Sequence, residues 1–200
     1  MPTGGGVAAG PFHSQSNEAW FFHSPGLKIV YPSNPYDAKG LLLAAFDDPN
    51  PVMFFEHKGM YRTLSDDIPS GYYNVEIGKG AYAKKGDTLS IITYGMGVHW
   101  AINASEELDL QDKIEVIDLR TLFPLDEETI LNSVKKTGKC LVLTEESKDN
   151  SFAQALSGKI QEQCFTYLDA PVMTLGSENM PAIPLNSTLE QTMIPSTLKV

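Results

Sequence analysis

The amino-acid sequence opens its regular part with a short apolar run, a helical pattern and a second apolar run. Residues 27–31 form the first run, and the apolar side chains between 38 and 46 then recur at i, i+3, i+4, i+7 and i+8. Asn34 followed by Pro35 is typical of a helix start, and residues 52–56 form the second run. This order predicts a β-α-β unit with parallel strands and a right-handed crossover.

The same alternation resumes later in the chain. The sequence predicts strands at 88–94, 114–119, 140–144 and 172–175, with helices between them. Strands that alternate with helices indicate an α/β fold in which helices cover a mostly parallel sheet. By contrast, the glycine-rich residues 1–16 and the proline-rich, polar tail from Gly176 predict irregular structure.

A segment with little apolar periodicity separates these two parts. Residues 63–74 contain adjacent aspartates, a proline, a serine and a glycine. We interpret this segment as a linker between a first unit, residues 1–62, and a second unit, residues 75–200.

Charge and apolar content exclude several classes of protein. The formal net charge of -10 disfavours nonspecific binding to nucleic acid or to anionic membranes. The longest strongly apolar run, residues 41–46, is much shorter than a bilayer span, and no basic segment precedes an apolar stretch. Cys140 and Cys164 each adjoin apolar residues, which predicts buried free thiols. We expect a cytoplasmic protein without a membrane segment.

Few residues are candidates for chemistry on residue type and position alone. His13 lies in a glycine-flanked polar loop, where an imidazole could exchange protons, although residue type and position alone favour an ordinary surface histidine. Glu145 and Glu146 follow a predicted strand at its carboxyl end, where α/β sheets form clefts. His23, His57 and His99 lack partners at a characteristic spacing, which favours structural roles.

The sequence around Gly95 and Gly97 has the outline of a phosphate-binding turn after a strand. The third glycine and an acidic residue at dinucleotide-binding spacing are missing. A tight turn from strand to helix is therefore the better interpretation.

Residues 10–21 (GPFHSQSNEAWF) resemble the signature of the beta subunits of thiamine-diphosphate-dependent 2-oxo acid dehydrogenases. These subunits belong to the decarboxylating components of the pyruvate and branched-chain 2-oxo acid complexes. The likeness continues in family order through most of the chain, in residues 25–30, 37–42, 50–56, 116–126 and 168–172. The HSQS motif is specific to this family, whereas the IDLRT stretch is shared with other transketolase-like enzymes.

The resemblance implies the carboxyl-terminal part of a beta subunit, or of the beta half of a fused alpha-beta chain. Residues 1–62 would be the second part of a pyrimidine-binding domain, and residues 75–200 a three-layer domain like the transketolase carboxyl-terminal domain. The family binds thiamine diphosphate and magnesium mostly through parts that this chain lacks. The isolated chain is therefore expected to be inactive, with no cofactor-binding residue assigned in it.

The resemblance also assigns a reaction and a catalytic residue. Family members decarboxylate a 2-oxo acid oxidatively and transfer the acyl group to a lipoyl group. His13 would donate a proton to the reacting carbonyl oxygen, with Ser14 and Gln15 orienting it or lining the channel. Phe12 and residues 32–42 favour a branched-chain substrate.

Family members further hold a potassium ion through backbone carbonyls, which correspond here to Ala45, Asp48 and Asn50. The implied partners are an alpha subunit or alpha half and a lipoyl acyltransferase core, in a homodimer or heterotetramer. Two alternatives remain open: an assembly module without its own catalysis, and a relative of transketolase or deoxyxylulose-phosphate synthase.

Overall fold

The structure is a computed structural model that describes residues 1–200, and it is a mixed α/β fold. None of its helices is long and apolar enough to cross a membrane. The strands are β1 (Pro2–Thr3), β2 (Lys28–Val30), β3 (Val52–Phe54), β4 (Glu56–His57), β5 (Ala81–Lys84), β6 (Leu89–Thr93), β7 (Ile114–Asp118), β8 (Thr121–Phe123), β9 (Cys140–Ser147) and β10 (Met173–Ser177). The α-helices are α1 (Pro35–Asp47), α2 (Met96–Glu107), α3 (Glu127–Thr137), α4 (Phe152–Cys164) and α5 (Ser187–Met193).

The predicted β-α-β unit is present in the first part of the chain. β2 and β3 pair in parallel, and α1 connects them. The side chain of Asn34 accepts a hydrogen bond from the backbone N–H of Asp37, and Pro35 occupies the first turn of α1. The capping prediction is therefore confirmed, because a free donor at the helix start is satisfied as expected.

The second part of the chain forms a five-stranded sheet in the order β10-β9-β6-β7-β5. All neighbouring strands are parallel except β5, which runs antiparallel to β7 at one edge. Helices α3 and α4 pack together over one face of the sheet, and α2 covers β6, β7 and β9 from the other face. The predicted three-layer α/β architecture with a mostly parallel sheet is confirmed.

A short strand that sequence analysis missed connects the two parts of the molecule. β8 pairs antiparallel with β2, with Ile29 opposite Phe123. A hydrophobic core of 16 buried residues also extends across both parts: Tyr31 from the first packs against Tyr94 from the second, with ring centroids 5.2 Å apart. The two parts therefore share one core.

The irregular structure predicted for the two ends of the chain is wrong in places. β1 lies within residues 1–16 and pairs in parallel with β4. In the tail, β10 continues to Ser177, and the side chain of Asn186 accepts from the N–H of Leu189 to cap α5. β1 and α5 are too short to show a clear apolar period, so the sequence pattern did not reveal them.

Two other features of the sequence can be followed in the structure. Cys140 and Cys164 are free and buried, as predicted. Residues 61–80 contain no helix or strand. The linker at 63–74, with the domain limits it implies, remains a prediction.

Candidate active site

His13 lies on a tight turn formed by residues 11–13. The backbone N–H groups of His13 and Ser14 both donate to the carbonyl of Gly10, at 3.1 and 2.9 Å. Gly10 has φ +66°, a left-handed conformation that favours glycine, and a Cβ there would meet Leu185 at 2.7 Å. The turn leaves the side chain of His13 exposed to solvent. Its catalytic role remains a prediction.

Ser14 and Gln15 stabilise the backbone of the loop that carries His13. Ser14 is buried, and its Oγ accepts a hydrogen bond from Ala9 N at 3.1 Å. The carbonyl of Gln15 accepts from Gly4 N at 3.2 Å and from Thr3 Oγ1 at 2.8 Å. These bonds close the loop on itself, so that the position of His13 depends on few backbone degrees of freedom.

Glu145, which the sequence marked only by its place near a strand end, contacts this loop directly. Its Oε1 accepts hydrogen bonds from Gly5 N at 2.5 Å and from Ser16 Oγ at 3.2 Å. Its Oε2 lies 2.6 Å from Nε2 of His57, and both side chains are buried. Burial by itself would raise the pKa of Glu145. The charge of His57 and these hydrogen bonds outweigh that effect and hold the pKa below its usual range.

Glu18 and Glu146 form a second buried acidic pair nearby. Glu18 is fully buried and accepts a hydrogen bond from Tyr94 Oη at 2.9 Å. Burial and the charge of Glu146 raise the pKa of Glu18 to about 8. Burial also raises the pKa of Glu146 to about 7, although Ala19 N donates to its carboxylate at 3.1 Å. Because Glu18 is completely enclosed, it cannot contact a substrate in this conformation.

The topology of the sheet explains why these groups meet. β6 and β9 are neighbours, and the chain continues from β6 to β7 on one side and from β9 to β10 on the other. Ligands of open α/β sheets bind outside the carboxyl ends of strands at such a reversal of strand order. Tyr94 directly follows β6, and Glu145 and Glu146 lie near the end of β9. The loop of His13 thus covers the position where this architecture forms a cleft.

A cavity of about 140 Å³ lies between this loop, the end of β9 and the tail. Ser14, Gln15, Glu145 and Glu146 contribute to its wall, and no lysine or arginine does. A wall with two carboxyl groups and no lysine or arginine to bind phosphate oxygens does not suit a diphosphate. The cavity is therefore a poor match for the charged end of thiamine diphosphate.

The three residues expected to bind potassium lie at the end of α1. The carboxylate of Asp48 pairs with the ammonium of Lys28, and the hydrogen bond from Lys28, followed by those from Asn50, lowers the pKa of Asp48 to about 2. The carboxylate of Asp48 is thus ionised and already paired with Lys28. Only the backbone carbonyls of Ala45, Asp48 and Asn50 remain as ligands for potassium. Carbonyl oxygens at a helix end suit a hard cation, but three of them do not complete its coordination. The potassium site remains a prediction.

Sequence reasoning missed His57 and Glu18 as parts of this region. His57 lies 88 residues before Glu145, so no local spacing could reveal the pair. Gly95 and Gly97 agree with the interpretation of a tight turn. A Cβ would lie 2.5 Å from the Tyr31 ring at Gly95 and 2.0 Å from Thr93 Oγ1 at Gly97.

Comparisons with known proteins agree with this architecture. Residues 78–200 match the family model of the transketolase C-terminal domain, and residues 1–63 match that of the transketolase pyrimidine-binding domain. A solved structure described as a split-gene transketolase, an inactive beta4 tetramer, superposes with a TM-score of 0.72 at 20% identity. That superposition covers 98% of this chain and 61% of the other and supports the fold alone.

Two curated relatives have higher sequence identity. The 2-oxoisovalerate dehydrogenase subunit beta of Bacillus subtilis is 47% identical over 192 residues, which cover 95% of this chain and 58% of the relative. The pyruvate dehydrogenase E1 component subunit beta of Mycoplasma genitalium is 47% identical over 169 residues, 84% of this chain and 52% of the relative. The chain thus spans little more than half the length of either relative. The chain belongs to the transketolase family, and the two curated relatives that it resembles are beta subunits of 2-oxo acid dehydrogenases.

Proposed function

We propose that the protein containing this chain is the decarboxylating component of a 2-oxo acid dehydrogenase complex, and that His13 is a catalytic residue in it. The observation that carries the proposal is the state of the HSQS turn. Its backbone is fixed by hydrogen bonds from both sides, whereas the imidazole of His13 is exposed. A fixed backbone with an accessible side chain is what a proton donor at a subunit boundary requires.

In such a component, thiamine diphosphate supplies the electron-accepting group that allows a 2-oxo acid to lose carbon dioxide. The residues that bind the cofactor and its magnesium would come mainly from outside this chain. His13 would donate a hydrogen bond or a proton to the carbonyl oxygen of the substrate as negative charge develops there. It would also assist transfer of the acyl group to a lipoyl disulfide. General acid catalysis of this kind contributes about 10²- to 10⁴-fold in rate.

The proposed partners follow from the same relatives. An alpha subunit or alpha half would complete the active site opposite His13, and a lipoyl acyltransferase core would receive the acyl group. The assembly would be a homodimer or heterotetramer, with the isolated chain inactive. Phe12 is 90% exposed beside His13, and an apolar side chain there suits a branched-chain substrate or a partner surface.

Replacement of His13 by alanine in the full-length protein, assembled with its partner subunit, tests the proposal. We expect His13→Ala to lower the rate of 2-oxo-acid-dependent reductive acylation by about 10²-fold or more, because the proton donor is lost. His23→Ala is the matched control, since His23 is also exposed and lies in the same segment. Equal rates for wild type and His13→Ala would remove His13 from catalysis.

A second function, assembly without catalysis, is favoured by the exposed aromatic side chains around the turn. Phe12 and Trp20 are 90% and 71% exposed, which is unusual for large apolar residues without a partner. If His13→Ala retained full turnover while Phe12→Ser abolished association with the partner subunit, this second function would be preferred.

A further inference from the structure

The loop of residues 5–16 is held at both ends by one carboxylate. Glu145 Oε1 accepts from Gly5 N, where the loop begins, and from Ser16 Oγ, where it ends. His13 lies between these two residues. A single side chain of the five-stranded sheet therefore contacts both ends of the segment that carries His13.

The surroundings of Glu145 fit this task. Glu145 lies near the end of β9, and the Oγ of Ser177 in β10 donates to its backbone carbonyl, which fixes the backbone at this position. Removal of a carboxylate from water is costly unless it is paired and hydrogen-bonded. Here Nε2 of His57 is hydrogen-bonded to Oε2 of Glu145, so that Oε1 is free to accept hydrogen bonds from the loop. His57 itself sits against the loop, because a Cβ at Gly4 would lie 2.2 Å from its ring.

Other bonds to the loop do not duplicate this arrangement. Glu190 of α5 accepts a hydrogen bond from Ala8 N at 3.0 Å, inside the loop and away from its two ends. The bond between Ala9 N and Ser14 Oγ is internal to the loop. The carbonyl of Gln15 accepts from Gly4 N and Thr3 Oγ1, which joins the two ends to each other and to β1. None of these bonds connects the loop ends to the five-stranded sheet.

We propose that Glu145 is a positioning residue for His13: together with His57, it fixes both ends of the 5–16 loop on the sheet so that the imidazole is held for proton transfer. This inference rests on the proposed catalytic role of His13. Glu145 itself contacts neither substrate nor cofactor in this role, because its oxygens are occupied by Gly5, Ser16 and His57.

Hydrogen exchange of the loop amides tests the anchoring without an activity assay. In Glu145→Gln we expect the amide of Gly5 to exchange about tenfold faster than in wild type, because a neutral acceptor replaces a charged one. The matched control is Glu115→Gln. Glu115 is also a buried glutamate; it bonds Ser133 and Lys136, away from the loop, and Glu115→Gln should leave Gly5 exchange unchanged. Unchanged exchange at Gly5 in folded Glu145→Gln would overturn the proposal.

Kinetics of the full-length protein with its partner subunit test the consequence for catalysis. Misplacement of a catalytic group should lower kcat about 10- to 100-fold with little change in KM. We expect this result for Glu145→Gln and a smaller fall in kcat for Ser16→Ala, which removes one loop bond and leaves His57 paired. Ser16→Ala also keeps the test decisive if Glu145→Gln fails to fold. Glu115→Gln should retain wild-type kcat.

The outcomes separate this inference from the proposed function. If His13→Ala retains turnover while Glu145→Gln still accelerates loop exchange, the catalytic role of His13 fails and the positioning of His13 by Glu145 loses its purpose, although the anchor itself is real. If His13→Ala abolishes turnover while Glu145→Gln and Ser16→Ala change neither exchange nor kcat, the inference about Glu145 is wrong and the proposed function survives.

Discussion

Glu18 is a carboxylic acid in a site with no access to water. One of its oxygens accepts from Tyr94, and the other, Oε2, has no hydrogen-bond partner. A buried carboxylate with a free oxygen is unfavourable, so the protonated form is preferred in the folded protein. Burial, followed by repulsion from Glu146, therefore raises the pKa of Glu18 to about 8.

This raised pKa predicts how stability depends on pH. Between about pH 4.5 and pH 8 the folded protein binds a proton at Glu18 that the unfolded chain has released, so the free energy of unfolding falls as pH rises. Glu146, with its pKa raised to about 7, adds to the decline. At about 1.4 kcal/mol per pH unit for each proton, we expect a total loss of roughly 4–6 kcal/mol between pH 5 and pH 8. Urea unfolding at a series of pH values measures it.

Glu18→Gln should reduce that decline by at least half, because an amide mimics the protonated acid and does not ionise. The exposed Glu106→Gln serves as the control and should leave the pH dependence unchanged. If the wild-type protein became more stable from pH 5 to pH 8, and Glu18→Gln showed the same increase, the raised pKa of Glu18 would be contradicted.

At the scale of elements, two glycines of the second part of the chain make opposite predictions. Gly95 is the N-cap residue before α2, with φ +55°, and a Cβ there would lie 2.5 Å from the ring of Tyr31. Gly158 lies inside α4, and a Cβ there would meet no atom within 4 Å. The first glycine is required by backbone conformation and packing, whereas the second only weakens its helix.

The substitutions Gly95→Ala and Gly158→Ala should therefore have opposite effects on the free energy of unfolding. Gly95→Ala should lower the free energy of unfolding by roughly 2–5 kcal/mol, from an unfavourable backbone and an overpacked Tyr31. Gly158→Ala should raise it by roughly 0.5–1 kcal/mol, since alanine is the better helix former. Thermal or urea unfolding of both variants measures the pair. Effects of the same sign would show that the turn at Gly95 can rearrange.

The elements that sequence could predict are those with a long apolar pattern. α1 was predictable from its spacing and from Asn34, and the central strands were predictable from their apolar runs. β8 was not, because three residues carry no measurable period and its partner, β2, lies about 90 residues earlier. α5 was hidden because it is short, mostly exposed and flanked by prolines.

The candidate site was predictable only in part for a related reason. His13 could be selected from its motif, and Glu145 from its place at the end of a strand. Their connection runs through Gly5, Ser16 and His57, which tertiary folding brings to Glu145 from 88 or more residues away. No local pattern encodes contacts over that distance.

At the scale of the whole molecule, the two parts of the chain are held together by more than a linker. Aromatic rings pack across the boundary in and beside their shared core: Tyr31 with Tyr94, at 5.2 Å between centroids, and Phe22 stacked on Phe152, at 4.7 Å. Polar contacts add to it: Ser33 donates to Asp118, and Arg120 pairs with Asp37 at 2.8 Å. Family models divide the chain near residues 63–78, but its packing does not respect that division.

Shared packing predicts that the two parts unfold together. Phe55→Leu removes part of a fully buried ring and should lower global stability by roughly 1–3 kcal/mol. Native-state hydrogen exchange should then show that the free energy of opening falls by the same amount at β2, in the first part, and at β6, in the second. Amides that open only in global unfolding report the same free energy. As a control, the slowest-exchanging amides of β2 and β6 should have equal opening free energies in the wild-type protein. If Phe55→Leu lowered protection at β2 and left β6 unchanged, the first part would be an independent unit, and the shared core would not couple the unfolding of the two parts.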